Sequence, residues 1–262
     1  MTCPQDVLTI NRAGWDRVAA RYYGAAALPV YGPLAPTEET LRLLGPLAGT
    51  RVLELGCGSG HSLRYLAERG AAEVWGVDLS PVQIAFAAEV THAFQPHVHL
   101  FESPMEVNPG IPANYFDLLI SLYGLGWTTD LPATLALVAE YLKPGAWFIL
   151  SGEHPVYGCL SYADERFVFA HPYTKQGPMV KDSWSGVPNV LHRRTLSTFV
   201  NEVVRAGLQV EALVEGELDT SLANEDSADP ARWYSVPRAR LMPTTFILKA
   251  RKPSALDRAA RP

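Results

Sequence analysis

The chain has 262 residues, of which 48% are hydrophobic and 19% charged, enough for one large α/β domain with a sizeable core. Its formal net charge of −5 comes with no basic block, which argues against a nucleic-acid surface. No apolar run reaches membrane-spanning length and the first thirty residues lack a signal-peptide pattern, so the cytoplasm is the expected compartment. Cys3, Cys57 and Cys159 show no metal spacing; reduced thiols and no metal site are expected.

From Leu8 to Tyr23 the pattern is helical, with Ile10, Trp15, Val18, Ala19 and Tyr22 sharing one face. Ala25 to Pro36, rich in alanine, proline and glycine, reads as a loop. A short helix follows, capped by Thr37 with Glu38 and Glu39 in its first turn and ended by Gly45-Pro46.

Arg51 to His61, RVLELGCGSGH, is a strand running into a glycine turn, and Ser62 to Ala67 then has helical spacing. Strand, glycine turn and helix present a nucleotide-type site, because the crevice of a doubly wound sheet lies beyond the carboxyl ends of its strands. The dinucleotide fingerprint needs glycines at positions one, three and six. Here they stand at one, three and five (Gly56, Gly58, Gly60), and His61 holds position six. No lysine follows the turn, which excludes a P-loop. Glu54, two residues before the first glycine, would repel a pyrophosphate but suits a ligand carrying an ammonium or sulfonium group. Cys57 reads as steric fit inside the turn.

Ala72 to Leu79 is the next strand, with Asp78 at its end, where a carboxylate can accept hydrogen bonds from both ribose hydroxyls. Ser80-Pro81-Val82-Gln83 starts a helix with a cap, a proline at the first position and a capping-box glutamine; it runs to about Phe94. Val98 to Phe101 is a third strand, followed by a loop holding Glu102, Ser103 and Met105. Tyr115 to Ser121 is a buried fourth strand, from which Ser121 to Tyr123 emerge at the carboxyl end. Asp130 caps a helix that Lys143-Pro144-Gly145 stops, and Ala146 to Ser151 is the fifth strand. Between Gly152 and Arg193 the periodicity fails, and such a stretch in a compact domain reads as a lid or binding loop. Thr195 to Ala206 is an amphipathic helix ended by Gly207; Leu208 to Val214 and Thr244 to Ala250 are the last strands, joined by an acidic loop.

Glu54 to Gly60, as E-x-G-x-G-x-G, with Asp78 after the second strand, resembles motif I of the class I S-adenosylmethionine (SAM) dependent methyltransferases of small-molecule type. The Phe116-Asp117 pair, Leu125-Gly126-Trp127 and Lys143-Pro144-Gly145 resemble further elements of that family. The likeness covers most of residues 10–152 and, more loosely, 194–250. It implies a Rossmann-like, doubly wound α/β sheet of seven strands with an antiparallel last strand, plus N-terminal helices and an inserted cap. Within one structural domain the expected parts are a helical cover (1–50), a SAM-binding core (51–152), an acceptor-binding cap (153–193), the rest of the core sheet (194–252) and a tail (253–262).

By the same resemblance the cofactor is SAM, leaving as S-adenosylhomocysteine (SAH). Tyr22, Glu54, Gly56, Cys57, Gly58, Gly60, Asp78, Leu79, Gln83, Ser103, Met105 and Ser121 would surround it. The family usually brackets adenine with an Asp or Asn, so here Ser103 or Glu102 would have to serve. Tyr22 or Tyr23 would close on the methionine end, or simply pack the first helix; the residues leave both open. Tyr23, Trp127, Tyr157, Tyr173 and Trp184 would contact the acceptor. His154, then His171 and Glu153, are the base candidates, and Tyr123 would orient the acceptor.

The expected activity is methyl transfer to an O, N or C atom of a small lipophilic or aromatic metabolite. The Asn/Asp-Pro-Pro-Tyr motif used on planar nitrogens is absent, its place taken by Ser121-Leu122-Tyr123-Gly124. RNA or protein methylation is therefore the weaker reading, and a SAM-binding protein that does not methylate is a third. No nucleic-acid or membrane partner is expected, and monomer and homodimer both remain open.

Overall fold

The computed structural model describes residues 3–24, 27–181, 186–254 and 257. Helix α1 (Pro4–Tyr22) begins four residues before its apolar periodicity does, because a proline costs nothing at the first helical position. The Asp6 carboxylate there accepts the Cys3 N–H at 3.2 Å. Helix α2 (Glu38–Leu41) is a single turn ending at Arg42, well short of Gly45-Pro46. The cause is Glu38, whose carboxylate accepts the N–H groups of Leu43 (2.9 Å) and Leu44 (3.0 Å) and so folds the chain back.

The alternating part comprises β1 (Arg51–Leu55), α3 (His61–Glu68), β2 (Glu73–Asp78), α4 (Pro81–Val90), β3 (Val98–Glu102), β4 (Phe116–Leu122), α5 (Leu131–Tyr141) and β5 (Leu142–Glu153). Helix α4 stops at Val90, and His92–Phe94 form a separate 3-10 turn. The stop before β5 falls at Tyr141, ahead of Lys143-Pro144-Gly145, which lies inside the strand as an irregularity. Gly145 takes φ +85° and donates its N–H to the Lys252 carbonyl at 2.7 Å, while the register against β4 slips between Phe116 and Leu118.

The stretch after β5 is not irregular. It forms two antiparallel hairpins, β6 (Leu160–Ala163) with β7 (Arg166–Phe169), and β8 (Gly177–Lys181) with β9 (Asn189–Arg193). Four- and five-residue strands broken by Pro172, Gly177 and Pro188 carry too little alternation to read as strands, and Phe169 points outward. Then come α6 (Leu196–Arg205), β10 (Gln209–Val214), α7 (Val236–Ala239) and β11 (Thr245–Arg251).

The main sheet has the order β10-β11-β5-β4-β1-β2-β3. The strands from β1 to β5 pair in parallel, and β11 runs antiparallel to both β5 and β10. Burial on both faces makes the central strands apolar throughout. Leu53, Leu55, Leu119, Phe148 and Leu248 pack towards α5 and α6; Val52, Val74, Leu118, Ile120, Ile149 and Ile247 pack on the other side with Leu63 and Leu66 of α3. The strand order reverses between β1 and β4, which places the crevice beyond their carboxyl ends.

Helix α1 does not stand apart from this sheet. Buried Asn11 donates Nδ2–H to the Val190 carbonyl (2.9 Å) and accepts the Val190 N–H at Oδ1 (2.8 Å), replacing a missing neighbour along the edge of β9. Gly14 permits the approach, since a Cβ there would lie 2.3 Å from Asn189 Oδ1. Asn11→Ala leaves two buried backbone groups unpaired and is expected to lower stability by about 2–4 kcal/mol. Denaturant unfolding with an unchanged midpoint would contradict that contribution.

Candidate functional site

At the head of β1 the chain turns through Gly56 (φ +74°), Gly58 and Gly60 (φ +76°), a backbone region that favours glycine. Gly60 has a second reason to be glycine, because a Cβ there would lie 2.8 Å from the Ala87 Cβ of α4. The fifth-position glycine thus lets two helices meet, whereas the dinucleotide pattern uses its sixth-position glycine to bring helix and strand together. A Cβ on Gly56 would come within 3.1 Å of the Gly124 Cα, so the exits of β1 and β4 touch. Cys57 is buried with its Sγ against Gly76, where a Cβ would be 2.8 Å away. Burial pushes its thiol up, helped by the Asp78 and Glu54 charges, which suits a space-filling residue better than a reactive one.

Two carboxylates flank this turn. Asp78 accepts the Gly58 N–H at Oδ2 and the Ser80 N–H at Oδ1, both at 2.9 Å. Burial raises its pKa and those two donors pull it back. Glu54 is only 2% exposed, and its Oε2 has no hydrogen-bond partner. Burial raises it well above the ordinary carboxylate range; a Ser62 hydroxyl bond opposes the rise and Asp78 adds to it. An orphaned buried carboxylate oxygen, a second acid at the end of β2 and a glycine cradle between them fit a ligand carrying both a diol and a positive charge.

The other residues expected at the cofactor are distributed around this cradle. Ser80 caps α4 by accepting the Gln83 N–H at 3.1 Å, but Gln83 does not close a capping box; its Oε1 accepts the Ser59 hydroxyl at 2.5 Å. The Ser103 N–H reaches the Asp78 carbonyl (2.9 Å), and its hydroxyl donates to the Pro104 carbonyl (3.1 Å). The Met105 Cε lies 3.7 Å from where a Gly56 Cβ would sit, and half-buried Leu79 separates Asp78 from Ser80. The Ser121 hydroxyl is buried and donates to the Leu55 carbonyl at 2.8 Å, tying β4 to β1.

Helix α1 crosses the mouth. Arg12 pairs with Glu102, and the Ser80 hydroxyl donates to Asp16 at 2.5 Å. Tyr23 donates to Glu89 at 3.0 Å, and the Gly24 N–H donates to His61 Nε2 at 2.7 Å. Tyr22 rests against Trp15, whose ring meets Trp127 edge-on at 5.1 Å.

Beyond the carboxyl ends of β4 and β5 lies a second cluster. Tyr123, held at φ +58°, shares a 2.5 Å hydrogen bond with the Thr245 hydroxyl at the start of β11. Glu153 Oε2 accepts the Trp233 indole N–H and the Tyr234 hydroxyl (2.9 Å). The Tyr157 ring stacks on Tyr234 at 5.9 Å, and its hydroxyl donates to the Trp233 carbonyl at 2.7 Å. Burial raises the pKa values of Tyr123 and Tyr234 and takes that of Tyr157 up to about 12, so all three hydroxyls stay protonated at neutral pH.

Sequence reasoning reached Tyr123, Glu153 and Tyr157 but missed Thr245, Trp233, Tyr234 and Arg238. A Trp-Tyr pair followed by a Ser-x-Pro helix start inside an otherwise acidic loop was the available signal. His154 lies beside this cluster in sequence but is engaged elsewhere. Its Nδ1 accepts the Val156 N–H (3.3 Å), which leaves the proton on Nε2 to be donated to Glu215 at 2.7 Å. His171 is exposed beyond β7, the Tyr173 hydroxyl accepts the Leu196 N–H (3.0 Å), and Trp184 lies outside the described residues.

The profile of the methyltransferase-domain family matches residues 31–212. An uncharacterized protein of Haemophilus influenzae is 28% identical over 225 residues, covering 81% of this chain and 85% of its own. Phosphoethanolamine N-methyltransferase 3 of Arabidopsis thaliana is 28% identical over 203 residues; the match takes in 76% of this chain and 41% of that protein's length. The crystal structure of a SAM-dependent methyltransferase from Mesorhizobium loti matches with a TM-score of 0.63 at 27% identity, covering 81% of this chain and 96% of that one. Among the described residues no helix is long and apolar enough to cross a membrane, and no cluster of His, Cys, Asp and Glu could hold a metal ion.

Because Glu54 is raised in the folded chain, its contribution to stability is present below the unfolded pKa and lost as pH rises through the folded one. Glu54→Gln escapes that loss. Its melting temperature without ligand should gain on wild type between pH 5 and pH 8, while SAM affinity at pH 7.5 falls about tenfold, roughly 1.4 kcal/mol. Thermal melts and calorimetry read both, and a variant that binds SAM as wild type does would remove Glu54 from the site.

Proposed function

We propose, from the premise that this chain belongs to the methyltransferase-domain family and is a SAM-dependent methyltransferase, that its acceptor is a small molecule bound beyond β4 and β5. The observation that carries this reading is the shared wall. Gly124, against which Gly56 packs, is the neighbour of Tyr123, so the glycine cradle and the aromatic cluster adjoin. On this reading Asp78 takes the ribose hydroxyls, the orphaned Oε2 of Glu54 faces the cationic end of SAM, and Ser103 and Met105 flank the base. Bound there, SAM supplies a methyl group on a positively charged sulfur.

The chain's own part is orientation and exclusion of water. Holding two reactants in line contributes roughly 7–11 kcal/mol, more than one side chain usually can. Helix α1 closes the cofactor side through Arg12, Asp16 and Tyr23. Tyr123 keeps its proton and so orients an acceptor through its hydroxyl without serving as a base. Glu153 is better placed than His154 to take a proton. Both its donors arrive at Oε2, and among the described residues no hydrogen bond reaches Oε1.

Aromatic walls favour a lipophilic or aromatic acceptor, and the sequence pI of about 5.8 favours a metabolite over RNA. The Arabidopsis relative is named for a small acceptor, which agrees in kind. Incubation with methyl-labelled SAM and pools of small molecules, RNA and protein tests the reading. Label entering a small molecule supports it; label only in RNA or protein, or SAM binding without transfer, refutes it. With the acceptor found, Glu153→Gln should lower kcat by about 10²–10⁴ where the acceptor loses a proton, leaving SAM affinity intact. An unaltered kcat would exclude Glu153 as the base.

A further inference from the structure

Among the described residues one cationic side chain in the aromatic cluster has no ion-pair partner. Arg238, on α7, is 3% exposed, and its Nε is buried without a hydrogen-bond partner. One terminal nitrogen stands 3.4 Å from the Trp233 carbonyl, which already accepts the Tyr157 hydroxyl at 2.7 Å. Among the described residues Arg238 forms no ion pair. Glu153 has its Oε2 committed to the Trp233 N–H and the Tyr234 hydroxyl, and neither of its oxygens comes within ion-pair distance of Arg238.

What surrounds the guanidinium is aromatic. Its carbon lies 4.7 Å from the Trp233 ring centroid, 5.2 Å from that of Tyr157 and 5.6 Å from that of Phe167 on β7. Rings satisfy the faces of a guanidinium, not its edge, because its N–H groups point outward in the plane. Arginine presents that edge to a carboxylate or phosphate as a two-pronged donor. Removing a charge from water without a partner is costly, so a fold that keeps one buried gains when a ligand supplies the opposite charge. Trp233, whose ring is the nearest of the three to the guanidinium, is itself 38% exposed.

We infer that Arg238 is the recognition residue for an anionic group, a carboxylate or phosphate, carried by the acceptor, with Trp233 and Tyr157 fixing the plane of its guanidinium. This rests on the small-molecule reading above and adds the charge of the substrate to it. It also gives the β6–β7 hairpin a part in specificity, because Phe167 helps to hold the guanidinium.

The test uses SAH-saturated full-length protein titrated by calorimetry with benzoate, phenyl phosphate, benzylamine and benzyl alcohol. The expected result is saturable binding of benzoate or phenyl phosphate at least tenfold tighter than of the amine or the alcohol; the two anions tell carboxylate from phosphate. Arg238→Gln should lose at least tenfold in anion affinity with SAH affinity kept, and Arg238→Lys should recover part of it. Absent anion binding, equal binding of the amine or alcohol, or anion binding indifferent to Arg238→Gln each overturns the inference. Should Arg238→Gln fail to bind SAH, the wild-type preference and Arg238→Lys decide. In the labelled-SAM pools, transfer to uncharged small molecules alone, undiminished in Arg238→Gln, sinks this inference and leaves the small-molecule reading. Anion binding through Arg238 with label entering only RNA or protein does the reverse.

Discussion

Two backbone N–H groups converge on Asp78, one from inside the glycine turn at Gly58 and one from the start of the next helix at Ser80. The Gly58 bond fastens the head of β1 to the end of β2, the Ser80 bond sets the turn from β2 into α4, and the site is arranged around that joint. An acid that gathers N–H donors in a partly buried place is held at reduced pKa by them and at raised pKa by burial. The balance keeps a carboxylate where hydroxyls of a ligand can reach it. The Gly56 and Cys57 N–H groups add bonds of 2.8 and 3.1 Å to the Val77 carbonyl, and from this held turn Gly60 meets Ala87 of α4 and Gly56 meets Gly124.

Buried groups with unmet demands occur both beside the glycine turn and in the aromatic cluster. Among the described residues Glu54, on β1, keeps an oxygen without a donor, and Arg238, in the aromatic cluster, keeps a nitrogen without an acceptor. Native chains tolerate few such groups, since each costs the desolvation of a polar or charged atom. Burial acts on both: it disfavours the charged form of Glu54, while Arg238 is buried among aromatic rings. Between them the tyrosines are kept protonated by burial and carry orientation instead of charge.

The roof is assembled from parts distant in the chain. Asn11 on the first helix completes the edge of β9, 179 residues away, by imitating a strand neighbour with one side-chain amide. The same helix is tied to the end of β3 and the start of α4 by Arg12 and Asp16. One helix thus bonds both to the start of α4 and to the β8–β9 hairpin.

The sequence alone determined the strand, turn and helix around Glu54–Gly60, the acid closing β2 and the caps at Ser80 and Asp130, while the seven-stranded sheet came from the family resemblance those residues carry. These features rest on periods of two and 3.6 residues and on turn chemistry within a few positions, all of it local. It could not show that Glu38 would curtail α2, since that depends on where the Leu43 and Leu44 N–H groups point. Nor could it bring Glu153 to Trp233 and Tyr234, 80 and 81 residues on, or set Arg238 against Phe167 from a hairpin. His154 looked freer than it is for the same reason: Glu215, 61 residues away, is beside it only once β10 and β11 have joined the sheet. Local spacing decides which elements form, but which side chains share a pocket is decided by strand order and by burial, and both exist only in three dimensions.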